Sequence, residues 1–279
     1  MPVAGQERRP PDDLVERYLD LCKRSLMGGH YRAPTPWDGT VRAALYGPMR
    51  SGLSHIGYEL VHAVDPAAKE QGLDHASDAL TMVGRQRLDN IQFCVTDVLR
   101  NRVPGDLIET GVWRGGSAIF MRAILYAHGD CERTVWVADS FQGLPKPDPR
   151  YPADKGDRLW TARGLAVAQD EVEANFASFG LLDRHVRFLN GWFKDTLPTA
   201  PIDRLAVLRL DGDLYESTTD ALQALYDKVS VGGYVIIDDY ANERLPGCRR
   251  AVDEFRSERG LTGELRQVDW TAVFWRRES

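Results

Sequence analysis

Residues 207–215 read VLRLDGDLY and residues 235–240 read VIIDDY. Each stretch begins as an apolar, β-branched run, the pattern of a strand buried on both faces. Each then breaks into aspartates, Asp211 and Asp213 in the first and Asp238 and Asp239 in the second. An unpaired carboxylate is costly to bury. These four must therefore be solvated, paired with cationic side chains, or gathered around a bound ion.

The same alternation extends to both sides. DLIETG (106–111), TVWVAD (134–139), HVRFL (185–189), LAVLRLD (205–211) and YVIID (234–238) read as strands. Helical patterns fall at 117–126, about 169–180 and 248–260, the last ended by Gly260. Another is predicted over 217–229, with Ser217 and Asp220 at capping-box spacing and Gly232-Gly233 as its stop. ELRQVDW and TAVFWRR close the chain as a hairpin on the sheet edge. Strands alternating with helices predict an α/β fold whose parallel sheet is covered on both faces. In such sheets ligands bind outside the carboxyl ends of the strands, where the aspartates stand.

Before residue 105 the periodicity is helical only. Leu14, Tyr18, Leu21 and Cys22 recur at helical spacing, as do Leu88, Ile91, Val95, Val98 and Leu99. The chain is thus expected to divide into a helical extension, 1–104, and an α/β domain, 105–279. Residues 28–80 read as loops and short helices, and MPVAGQERRPPDD (1–13) as a short mobile tail.

With 279 residues, 43% hydrophobic, and seven tryptophans, the chain can build a sizeable core. A net charge of −6 argues against general attraction to nucleic acid. Cys22, Cys94, Cys131 and Cys248 form no CxxC pair, which suits a reducing cytoplasm and points to neither zinc nor a disulfide framework. No apolar run approaches the roughly 20 residues of a membrane span.

The first strand enters a glycine turn, LIETGVWRGGSAIF (107–120). Dinucleotide binding calls for GxGxxG, but Trp113 takes the place of the second glycine, which argues against a nicotinamide oxidoreductase. A turn of this shape still brings backbone amides and a helix N-terminus toward a carboxylate. Asp139, closing the next strand, is placed to accept from ribose hydroxyls. A nucleoside bearing an amino acid, such as S-adenosylmethionine, suits both features. The bland alternative is that the glycines only make a tight turn and Asp139 only caps a helix.

Asp211, Asp238 and Asp239 end two strands that a right-handed crossover makes neighbours. Their oxygen ligands select a hard ion, Mg²⁺ first, with Ca²⁺ or Mn²⁺ also open. Asp213, two residues past Asp211, is a candidate general base toward a hydroxyl acidified by that ion. The competing reading makes one aspartate a helix cap and salt-bridges another to Arg209 or Arg244. A metal-dependent hydrolase would also use the aspartates but leaves Asp139 and the glycine turn without a role.

The stretches TMVGRQRLDNIQFCV (81–95), GDLIETGVWRGGSAIFMR (105–122), VWVADSFQGLP (135–145), LNGWFKDTLP (189–198), LRLDGDLYEST (208–218) and GGYVIIDDY (232–240) together resemble the macrocin O-methyltransferase family. The resemblance implies a class I methyltransferase fold, a Rossmann-like, mostly parallel seven-stranded sheet. It implies Mg²⁺-dependent transfer of a methyl group from S-adenosylmethionine to a sugar hydroxyl on a glycosylated natural product, in antibiotic tailoring; a phenol or another small hydroxylated metabolite is the alternative acceptor. Glu109, Gly111, Ser117, Asp139 and Ser140 would line the donor site, and Gly191, Trp192 and Phe193 would border the adenine. Asp211, Asp238 and Asp239 would hold the metal, and Asp213 would be the base. A homodimer is implied, with N-terminal helices contributing to the acceptor pocket. The proline-rich segment 142–164 is expected to form a lid, with Trp160 free to stack on the acceptor.

Overall fold

The computed structural model describes residues 12–28, 65–73 and 78–278, with short pieces at 35–36, 53, 55–56 and 61–62. The tail 1–11 and most of the stretch 28–80 read as loops lie outside the described residues. Seven strands form the main sheet: β1 (Asp106–Thr110), β2 (Val135–Asp139), β3 (Val186–Asn190), β4 (Leu205–Leu210), β5 (Val229–Ile237), β6 (Arg266–Gln267) and β7 (Val273–Arg276). Their order is β3-β2-β1-β4-β5-β7-β6, parallel from β3 to β5, with β7 antiparallel to both its neighbours. The terminal hairpin is present, and its second strand inserts beside β5.

Helices α1 (Asp12–Leu26), α2 (Arg85–Arg100), α3 (Gly116–Ala127) and α4 (Gln169–Ser178) share one core with Leu107, Val137, Val207 and Ile236 of the sheet. Helices α5 (Tyr215–Leu225) and α6 (Pro246–Glu258) cover the opposite face, against Ile108, Leu208, Val235 and Ile237. Every residue of β4 is buried, as its unbroken apolar run requires of a central strand.

Three expectations need correction. β5 runs through Gly232-Gly233 instead of starting after them. Gly232 adopts φ +87°, and a Cβ on Gly233 would lie 2.7 Å from the Ala206 carbonyl, so the pair makes a bulge against β4. Helix α5 starts at Tyr215, two residues before the expected cap Ser217, and ends at Leu225. On α1 the buried face is Val15, Leu19, Cys22 and Leu26, leaving Leu14 and Leu21 half exposed.

Past the strands the chain stays stitched together. Gly191 N–H donates to the Asp139 carbonyl, Gly111 N–H to Ala138, Asp211 N–H to Thr110 and Asp238 N–H to Leu210, all at 2.8–2.9 Å. A row of adjacent strand ends results, at the point where strand order reverses between β1 and β4. Sheets of this kind open a crevice there.

Candidate active site

A cavity of about 620 Å³ occupies that crevice, in the range that encloses small-molecule ligands. Glu109, Gly111, Ser117, Asp139, Ser140, Trp192, Phe193, Asp211, Asp213, Asp238 and Asp239 all line it. Gly191 does not; its missing side chain leaves room for the Thr196 methyl, 2.7 Å from where a Cβ would stand. Trp160 does not line it either and lies under Lys146 Nζ, 5.6 Å from the ring centroid.

Strain concentrates at the cavity rim. Among the described residues four non-glycines have φ in the left-handed region. Three of them, Trp113 (+48°), Phe141 (+55°) and Asp213 (+60°), lie just past β1, β2 and β4. Residues held this way cluster where surrounding structure over-determines them, often at functional sites.

The glycine turn owes its glycines to the fold. Gly111 has φ +87°, and a Cβ there would collide with the Asp211 carbonyl oxygen; one on Gly116 would collide with Leu80. Asp139 secures the turn, its Oδ2 accepting from Val112 N–H and its Oδ1 from Phe141 N–H, both at 2.8 Å. Burial raises its pKa, and the amides oppose the rise. Ser140 Oγ donates to the Gly143 carbonyl at 2.7 Å. Ser117 Oγ lies 3.5 Å from Thr81 Oγ1.

On the other side of the cavity stands the acidic cluster. Carboxylate oxygens of Asp211, Asp238 and Asp239 lie within 4.8 Å of one another. Arg209, fully buried in β4, donates to Glu109, to Asp211 at 2.9 Å, and to Asp238. Arg87 of α2 donates to the other Asp238 oxygen, to Asp269 at 2.7 Å, and to Thr271. The pairing alternative is therefore realised in part, for Asp211 and Asp238 with Arg209. It does not balance the charge. Arg209 and Arg87 form ion pairs with Glu109, Asp211, Asp238 and Asp269 but with neither Asp213 nor Asp239, and an unpaired buried charge costs several kcal/mol.

Burial favours the protonated form of several of these carboxyls. Burial, with Asp238 adding to it, raises Asp211 to about 6. Burial and then Asp211 and Asp238 raise Asp213 to about 8. Burial, outweighing Arg209, raises Glu109 to about 8, and Asp239 is pushed well up by burial and Asp213. Asp239 Oδ2 and Glu109 Oε2 are buried without hydrogen-bond partners. An orphaned carboxylate oxygen beside two other carboxylates fits a hard divalent cation.

Segment 142–164 lies over this crevice. It holds the single turns Pro152–Asp154 and Leu159–Thr161, with Arg163–Leu165 at its end, and so is not structureless. Asp157, Arg158, Leu159 and Ala162 contribute to the cavity wall, and Trp113 Nε1 donates to the Gly164 carbonyl at 2.8 Å. Sequence reasoning missed Arg87, Asp269 and Thr271. Arg209 carried a legible signal, since an arginine inside a fully buried strand demands acidic partners.

Residues 15–277 match the macrocin-O-methyltransferase (TylF) family. The chain is 50% identical over 267 residues to the 8-demethyl-8-(2,3-dimethoxy-alpha-L-rhamnosyl)-tetracenomycin-C 4'-O-methyltransferase of Streptomyces olivaceus, covering 95% of this chain and 94% of that one. It is 50% identical over 262 residues to the demethyldecarbamoylnovobiocin O-methyltransferase of Streptomyces niveus, covering 93% of each. The solved structure of the O-methyltransferase NovP superposes with a TM-score of 0.83 at 48% identity, over 95% of this chain and all of that one.

Proposed function

The chain belongs to the macrocin O-methyltransferase family, is an O-methyltransferase with the class I fold, and from that premise we propose its substrates and the division of labour in its cavity. It transfers a methyl group from S-adenosylmethionine to a hydroxyl of a sugar on a glycosylated natural product. One observation carries this reading. Asp213 and the three-aspartate cluster share a cavity with Asp139 and the glycine turn, in a chain half identical to an enzyme named for a rhamnosyl acceptor.

The donor occupies the side lined by Glu109, Gly111, Ser117, Asp139 and Ser140, with Trp192 and Phe193 at its rim. S-adenosylmethionine supplies an electrophilic methyl group, its S–CH3 bond breaking so that S-adenosylhomocysteine leaves with the electron pair. Asp211, Asp238 and Asp239 would hold Mg²⁺. A divalent cation there supplies positive charge that lowers the pKa both of a nearby hydroxyl and of Asp213. Asp213 accepts the hydroxyl proton on its carboxylate as the acceptor oxygen is alkylated. Leu159, Ala162 and the other wall residues of segment 142–164 exclude water and hold the reactants in line.

The test is incubation with S-adenosylmethionine and a rhamnosyl-tetracenomycin carrying a free 4'-hydroxyl, with Mg²⁺ or with chelator. The expected product gains one methyl group on the sugar, and chelator suppresses it. Methylation on the aglycone, or a rate indifferent to chelator, would overturn the respective half of the proposal.

A further inference from the structure

Asp154 takes no part in the site described so far. It lies in the segment over the cavity, yet it is only 4% exposed. Its Oδ1 accepts from Tyr215 N–H at 2.7 Å and its Oδ2 from Glu216 N–H at 3.0 Å. These are the first two amides of α5, which lack partners within the helix. Leu214, apolar at the N-cap, provides no side-chain cap. The cap comes instead from 61 residues away. A space is kept for it: a Cβ on Gly247 would lie 2.7 Å from Asp154 Oδ1.

The capped amides follow Asp213 by two and three residues. Asp213 sits at φ +60°, at the centre of a three-residue turn closed by Leu214 N–H donating to the Gly212 carbonyl at 2.6 Å. Turns of that hand are rare and strained, and persist only where neighbours fix them. Immediately after the turn, Asp154 holds the amides of Tyr215 and Glu216, while Thr218 N–H donates to the Leu214 carbonyl at 3.0 Å. On the other side of Asp154, its close neighbours Asp157, Arg158 and Leu159 form part of the cavity wall.

We infer that Asp154 is a positioning residue: through it, the segment covering the cavity holds the Gly212–Leu214 turn and aims Asp213. Covering the reactants and aligning the base become one event. The inference rests on the proposed role of Asp213 as base.

Two substitutions test it. Asp154→Ala removes the carboxylate; Gly247→Ala keeps it but crowds the contact from both sides, the new Cβ lying 2.7 Å from Asp154 Oδ1 and 3.1 Å from Tyr215 N. With both substrates saturating, each variant loses about 10²-fold in kcat, the scale of an ångström's misplacement. Acceptor KM, and the Kd for S-adenosylmethionine measured by calorimetry, stay within about threefold of wild type. The double variant is no worse than Asp154→Ala, because both changes break one contact. A purely structural role would instead lower Tm while leaving kcat per folded molecule intact, and that pattern overturns the inference.

Hydrogen exchange over residues 211–220 needs no turnover. The amides of Tyr215 and Glu216 should be protected in wild type and exchange faster in both variants, Gly247→Ala reporting even if Asp154→Ala fails to fold. Unchanged exchange overturns the inference. If wild-type exchange is as expected but no sugar is methylated, the fault lies in the proposed substrate and not in Asp154.

Discussion

Asp139 and Asp239 both stand where a parallel strand runs out, both line the same cavity, and burial raises the pKa of both. They differ in how their oxygens are occupied. Asp139 has each oxygen on a backbone amide and ties β2 to the glycine turn. Asp239 leaves Oδ2 buried without a partner, beside Asp211 and Asp238. The first carboxylate is finished by the fold. The second keeps an oxygen open toward its carboxylate neighbours.

Asp213→Asn should have the largest effect. It removes the proposed proton acceptor from the open half and leaves the finished half untouched. Turnover should fall about 10²–10⁴-fold, the usual contribution of a general base. Donor and Mg²⁺ titrations should still show binding; full activity in this variant would remove Asp213 from the mechanism.

Arg209→Met comes next. It strips the counter-charge from Glu109, Asp211 and Asp238 together, and breaking buried pairs of this kind costs about 3–5 kcal/mol. Chemical denaturation should show the loss, and Mg²⁺ should recover part of it. A change under about 1 kcal/mol would mean that the cluster is effectively solvated.

Asp239→Asn and Asp139→Asn should move stability in opposite directions. In the metal-free protein Asp239→Asn removes a carboxyl whose ionised form burial and Asp213 disfavour, so Tm should rise while Mg²⁺ binding disappears. Asp139→Asn retains only one acceptor for two amides and should cost about 1–3 kcal/mol. Equal signs would erase the contrast between the two strand ends.

The pH profile is the gentlest probe. Glu109, Asp211, Asp213 and Asp239 all have folded-state pKa values above their unfolded ones. The folded metal-free protein therefore binds more protons, and the associated stability is complete below about pH 4. It is lost as pH rises through the folded values of about 6 for Asp211 and about 8 for Glu109 and Asp213. Thermal melts of chelated protein should fall over that window, and Mg²⁺ should flatten the fall.

The central sheet was legible because β4 and β5 carry unbroken apolar runs, and the site because those runs end in aspartate. Missed features involve partners distant in sequence. The start of α5 was misplaced because its cap is Asp154, 61 residues away, while the sequence offered Ser217 locally. Arg87 was passed over because its partners, Asp238 and Asp269, lie more than 150 residues downstream. Gly232-Gly233 reads as a helix stop in the sequence because periodicity does not distinguish a turn from a bulge on a neighbouring strand.

The most direct measurement is calorimetric titration of chelated protein with Mg²⁺ at pH 7, in two buffers of different ionisation enthalpy, for wild type and Asp239→Asn. Saturable wild-type binding whose heat differs between the buffers, showing protons released as the ion enters, with none in the variant, is the predicted result. No binding, or equal binding in both proteins, would contradict the assignment of the aspartate cluster as a cation site.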